Sequence, residues 1–180
     1  MPAGPGAAPE FSRPLSLERL GGGEIRTRIE ATARECAALA TRFGLHALAR
    51  LSASVRIERA GARDLIRVSG RLEAEVTQTC VVSLEPVHGR VDEDFTRLFS
   101  LAPRRPASPE IVVDPGEEDP PEPLGPEGLD LGEMAAQQLA LALDPYPRKP
   151  GVAVPAKLSQ DPRPEGDGPF AALKTLRDQP

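Results

Sequence analysis

The sequence predicts an α+β fold, an antiparallel meander of about four or five strands (closed at most into a partial barrel) packed with two helices. Three observations carry this. Two long segments alternate apolar and polar residues with a period of two. Two others repeat apolar residues at helical spacing behind a capping residue. Prolines are sparse in the first half and crowded afterwards. Of 21, only Pro86 lies between Leu15 and Ala102, and 16 lie from Pro103 onward. Proline removes a backbone donor and resists both helix and central strand, so the proline-poor stretch is where a core can form.

Residues 1–10 read as a disordered Pro/Gly/Ala leader. Phe11 to Leu20 is expected to be a strand with Phe11, Arg13, Leu15 and Leu17 on one face, and Pro14 places it at an edge. Gly21-Gly22-Gly23 ends it. A helix follows: Thr32 and Glu35 form a capping box, Cys36, Leu39, Ala40 and Phe43 recur at helical spacing, and Gly44 suits a left-handed stop. Leu51, Ala53, Val55 and Ile57 then alternate with polar residues. After a short turn at 60–63, so do Ile66, Val68, Gly70, Leu72, Ala74 and Val76. This period marks an antiparallel hairpin with one buried and one wet face. Cys80 to Pro86 is apolar and ends in a turn, and Val91 to Phe99 is a further strand with Phe95 and Phe99 inward.

Residues 103–126 are rich in Pro, Glu and Asp and predict an acidic loop, within which Ile111 to Val113 could pair as a short edge strand. Asp130 caps a second helix, with Glu133 three residues on. Its stripe is Leu131, Ala135, Leu139 and Ala142, and Asp144-Pro145 stops it. Tyr146-Pro147-Arg148-Lys149-Pro150 is extended and basic. One domain is therefore expected over 11–150, with a disordered tail over 151–180 in which Phe170 to Leu176 forms at most a helical turn.

The chain has 180 residues and a formal charge of −5. Residues 1–105 are net +3 and residues 106–180 net −8, so the acidity belongs to the later half and says little about what the core touches. No apolar run has membrane-spanning length, and residues 1–6 lack the basic start and apolar stretch of a signal peptide, so none is expected. With only two cysteines, a cytoplasmic protein is expected. Two cysteines and two histidines are too few for a disulfide framework or a dedicated metal site. No phosphate-binding, dinucleotide, zinc-protease or serine-hydrolase motif occurs, so no cofactor and no catalytic residue is assigned.

Cys80 is the most noticeable reactive group, with His88 eight residues on across a turn. Ser83 stands where a C-x-x-C motif would place its second cysteine, so Cys80 reads as a small buried apolar residue, for which alanine should substitute better than serine. His46 reads as a helix-end residue. The pairs Glu73/Glu75 and Asp92/Asp94 read as wet strand faces. Arginine is the better lead, with 19 Arg against three Lys. Arg56, Arg67 and Arg71 fall on the polar faces of the two long strands, where guanidinium groups could hold phosphates, although Glu58, Glu73 and Glu75 interleave.

The blocks Cys80-Val81-Val82-Ser83-Leu84-Glu85-Pro86-Val87, Asp130-Leu131-Gly132-Glu133 and Leu141-Ala142-Leu143-Asp144-Pro145-Tyr146-Pro147-Arg148, with the acidic loop between them, give the chain its resemblance. It resembles the YceD family of large-subunit ribosomal RNA accumulation proteins over roughly residues 11–151, including Glu35-Cys36 and Arg42-Phe43 of the first helix. The resemblance implies a role in ribosome biogenesis, without an established enzymatic activity. Many relatives carry a second cysteine where this chain has Ser83, a departure that argues against metal or redox chemistry here.

In this reading Pro86 fixes a turn after the Cys80 strand and Leu84 plugs the core beside it. Pro145 and Pro147 stiffen a strap that offers Tyr146 and Arg148 to a base or a protein groove. The expected function is a non-enzymatic biogenesis factor that binds large-subunit rRNA, its precursor or a ribosomal protein, and neither membrane nor DNA. The contact residues are Arg56, Arg67, Arg71, Tyr146 and Arg148. The alternatives are an adaptor that uses its acidic loop and, last, a thiol enzyme using Cys80 with His88.

Overall fold

The computed structural model describes residues 9–16, 23–61, 64–101, 121–124 and 128–153. In chain order the elements are β1 (Pro14–Leu15), β2 (Ile25–Glu30), α1 (Ala33–Phe43), β3 (Ala47–Arg59), β4 (Leu65–Thr79), β5 (Pro86–Ser100), β6 (Glu122–Pro123), β7 (Leu129–Asp130) and α2 (Leu131–Ala142). Strands β2 to β5 form an antiparallel meander in sequence order. Strand β6 adds to β5 in parallel, and β1 pairs separately with β7. The five-stranded sheet stays open rather than closing into a barrel.

The alternation that predicts the hairpin also sets its register. Leu51, Ala53, Val55 and Ile57 of β3 lie opposite Ala74, Leu72, Gly70 and Val68 of β4, all facing inward. A bulge between Leu48 and Arg50 keeps Leu48 on the core face with Val76. Helix α1 packs on β3 through Cys36, Leu39 and Ala40. Helix α2 lies against β4 and β5 and buries Leu131, Met134, Ala135, Ala136 and Leu139. Each fully buried leucine contributes about 1.5–3 kcal/mol.

Both predicted helix starts are present. Thr32 and Glu35 make the reciprocal capping box, and Gly44 takes the left-handed conformation at φ 64°. The Asp130 carboxylate accepts from the N–H groups of Gly132 and Glu133, and also from Ser12 Oγ and the Arg13 N–H. Glu133 does not turn back to that cap. It pairs with Arg42 of α1 at 2.8 Å, while Arg13 holds Glu35 through both carboxylate oxygens. These two arginines lace the helices and the N-terminal segment together.

Two strands differ from expectation. Among its described residues, 11–16, the segment beginning at Phe11 is a strand at Pro14–Leu15 and pairs there with Leu129–Asp130 rather than with the main sheet, while the Arg13 N–H donates to the Asp130 carboxylate. The sheet's first strand is Ile25–Glu30 instead. Ile25, Thr27 and Ile29 alternate there with Arg26, Arg28 and Glu30, the same period of two that marks β3 and β4. The Ile111–Val113 strand and the Phe170–Leu176 turn lie outside the described residues.

Candidate binding surfaces

Two surfaces draw together the residues singled out by sequence. The first is a clasp between the β4–β5 turn and the segment after α2. Cys80 N–H donates to the Glu85 carbonyl, and Leu84 N–H donates to the Cys80 carbonyl, closing a tight loop. The Cys80 thiol is fully buried, and its sulfur accepts from the backbone N–H groups of Ser83 and Lys149, each at 3.4 Å. Val81 N–H donates to the Pro147 carbonyl at 2.9 Å, and Lys149 Nζ pairs with Glu85 at 2.9 Å. Gln78 Nε2 donates to the Asp144 carbonyl, and the Asp144 carboxylate accepts from the Tyr146 N–H. The C-x-x-S-L-E-P and D-P-Y-P-R blocks are thus one structural unit.

This geometry revises the role of Cys80. The Ser83 hydroxyl, followed by the N–H groups of Ser83 and Lys149, holds the thiol pKa down to about 6, against the desolvation that raises it. His88 is not among the groups acting on the thiol, and its Nδ1 shares a hydrogen bond with Thr77 Oγ1 at 2.9 Å. Leu84 is not a core plug. It sits at φ 60°, the one non-glycine residue with positive φ among the described residues, and is 76% exposed. In that backbone region Cβ crowds the carbonyl oxygen, which makes it costly for leucine. Closing the loop between Cys80 and Glu85 is what imposes it. Tyr146 is 70% exposed, whereas Pro147 beside it is buried. Arg148 is exposed and has no carboxylate partner among the described residues.

The second surface is the outer face of the sheet. Arg56, Arg67 and Arg71 are all on it and all exposed. Each is already paired. Arg56 meets Glu24 at 2.8 Å and Glu58 at 2.9 Å, Arg67 meets Glu58 at 3.6 Å, and Arg71 holds both oxygens of Asp92 at 2.6 and 2.8 Å. Arg26 pairs with Glu24 and Arg28 with Glu73. Register places the cross-strand partners: Glu58 lies directly opposite Arg67, and Asp92 reaches Arg71 on the diagonal, beside Asp94 directly opposite it. The face is therefore nearly neutral. It also holds Arg26 and Arg28, which the sequence reading missed along with β2. These two, with Arg56, Ser54, Ser69 and Asp94, line a trough of about 620 Å³.

Tyr146 and Arg148 do not join this trough; they belong to the clasp. A family model described as large ribosomal RNA subunit accumulation protein YceD matches residues 68–177, more than half of the chain. The chain belongs to the YceD family. The YceD match spans both halves of the clasp, the second helix and the strands on either side of Cys80. Strands β2 and β3 and the Glu35-Cys36 helix precede it. Comparison with curated proteins and with solved structures gives no match. The family name ties the protein to accumulation of the large ribosomal RNA subunit. No helix among the described residues is long and apolar enough to cross a membrane.

Proposed function

We propose that this YceD protein supports large-subunit rRNA accumulation as a non-enzymatic binding factor in the cytoplasm, and that Tyr146 and Arg148 contact precursor rRNA. The observation that carries this reading is the contrast in pairing. The sheet-face arginines named by sequence are occupied by carboxylates, whereas among the described residues Arg148 has no carboxylate partner and the Tyr146 ring is exposed. Pro145 and Pro147 restrict the strap on either side, and the clasp fixes it to the sheet, so little conformational entropy is lost on binding. An exposed phenol ring stacks on any unpaired base, and an adjacent guanidinium meets a phosphate bidentately.

A ribosomal protein is the second reading for the same surface. The exposed Leu84, held at positive φ beside the half-exposed Val81, favours an apolar contact over a phosphate. Ultraviolet crosslinking of the tagged chain in cells separates the two. Precursor large-subunit rRNA crosslinked to the native chain, and lost with Tyr146→Ala and Arg148→Ala, supports RNA contact. Ribosome association without any RNA crosslink transfers the surface to a protein partner.

A further inference from the structure

We propose that the trough across the outer sheet face is a ribonucleotide site that holds a phosphate at its β2–β3 end. Strand register defines the trough. Thr27, Val55, Gly70 and Phe95 form one cross-strand row whose side chains belong to the core side, so only their backbone faces outward as a floor. The row on one flank is Arg26, Arg56, Ser69 and Thr96. The row on the other is Arg28, Ser54, Arg71 and Asp94. Flanking rows two residues apart stand about 7 Å from each other. Small side chains at Ser54 and Ser69 leave the middle open.

The chemistry is graded along the trough. Arg26, Arg28 and Arg56 occupy the β2–β3 end. Guanidinium groups bind phosphate through paired N–H donors, which a single ammonium cannot reproduce. Hydroxyls of Ser54, Ser69 and Thr96 follow, suited to ribose hydroxyls. Asp94 closes the β5 end, three strand spacings or about 14 Å from β2. Its carboxylate accepts from the N–H groups of a base edge. A cationic end and an acceptor end fit a nucleotide better than a simple anion. A phosphate here must displace Glu24, Glu58 and Glu73 from these arginines, a cost that Arg148 does not carry. The pairs are solvent-exposed and contribute little each, so three converging guanidinium groups can exchange them for one phosphate. A free nucleotide and one unit of an RNA strand present the same chemistry. The trough shares no residue with the Tyr146 strap, so the two proposals can fail separately.

The test titrates the full chain with inorganic phosphate, with adenosine and guanosine monophosphates, and with a labelled single-stranded RNA oligonucleotide. Saturable binding of mononucleotide or RNA is expected, weakened about tenfold or more by Arg28→Ala with Arg56→Ala. Glu24→Gln with Glu58→Gln should tighten it. Asp94→Asn should weaken nucleotide but not inorganic phosphate. Competition by mononucleotide against RNA assigns the site to free nucleotides as well, and arginine-dependent RNA binding without it assigns the site to a strand. If the alanine pair unfolds the chain, Arg28→Lys with Arg56→Lys keeps the charge, removes the paired donors and should still weaken binding. No saturable binding of any probe, or RNA binding lost only in Tyr146→Ala, overturns the proposal.

Discussion

The backbone N–H of Lys149 points at the sulfur of Cys80 across 3.4 Å, joining residues 69 positions apart. This contact and the Val81–Pro147 hydrogen bond fasten the strap after α2 to the turn between β4 and β5. The cysteine acts as an acceptor at the centre of the clasp, and its burial keeps water from competing for those N–H groups.

Removing that acceptor should destabilise the protein. Cys80→Ala leaves the Ser83 and Lys149 N–H groups without a partner, at a cost of about 1–3 kcal/mol. Cys80→Ser keeps an oxygen that accepts from them and should cost less. The structure thus reverses the order expected from sequence, where burial alone makes alanine the milder change. Urea unfolding midpoints of the two variants decide it, and an alanine variant at least as stable as the serine one contradicts the acceptor role.

Glu35 gives a pH signature. The hydrogen-bonded Arg13 guanidinium, aided by the Thr32 N–H and hydroxyl, holds its carboxyl down to about 2. A carboxylate depressed on folding contributes stability above its unfolded pKa of about 4.3 and loses it as pH falls towards the folded value. Wild type should therefore lose more stability than Glu35→Gln on acidification through that window. At neutral pH the substitution should cost about 1–2 kcal/mol through the weakened capping box and lost ion pair. Parallel pH curves for the two proteins would argue against the Arg13–Glu35 tie.

Gly70 should tolerate no side chain. A Cβ there would lie 2.5 Å from the Ser54 carbonyl oxygen and 2.8 Å from the Phe95 ring, which covers the glycine from the facing strand. Gly70→Ala is expected to destabilise by about 1–3 kcal/mol, since the opposing atom is backbone and cannot swing away. Thermal unfolding measures this. A variant as stable as wild type would mean that β3 and β4 separate locally without cost.

The sheet hairpin and both helix starts were legible because each leaves a local code: period two for β3 and β4, T-x-x-E for α1, and Asp before Leu-Gly-Glu for α2. Strand β2 carries the same code in only six residues, squeezed between a glycine run and a capping box, too short a stretch to stand out from its flanking turns. The clasp is not legible in the sequence, because its central bonds run from backbone N–H to sulfur and carbonyl, and the few side-chain bonds beside them, such as Lys149–Glu85, follow no periodic pattern. The pairing of Arg56, Arg67 and Arg71 depends on which carboxylates neighbour them on the outer face, Glu58 directly opposite Arg67 and Asp92 diagonal to Arg71, and a slip of one residue would change those cross-strand partners. Sequence placed these arginines on a polar face but could not tell that carboxylates already held them.

The most direct measurement is the ratio of large- to small-subunit rRNA in cells whose sole copy of this protein carries Tyr146→Ala and Arg148→Ala. Both side chains are exposed, so protein level and unfolding midpoint should match wild type. The account predicts that the ratio falls to the level seen without the protein. A ratio equal to wild type, at equal protein level, would contradict the strap as the working surface.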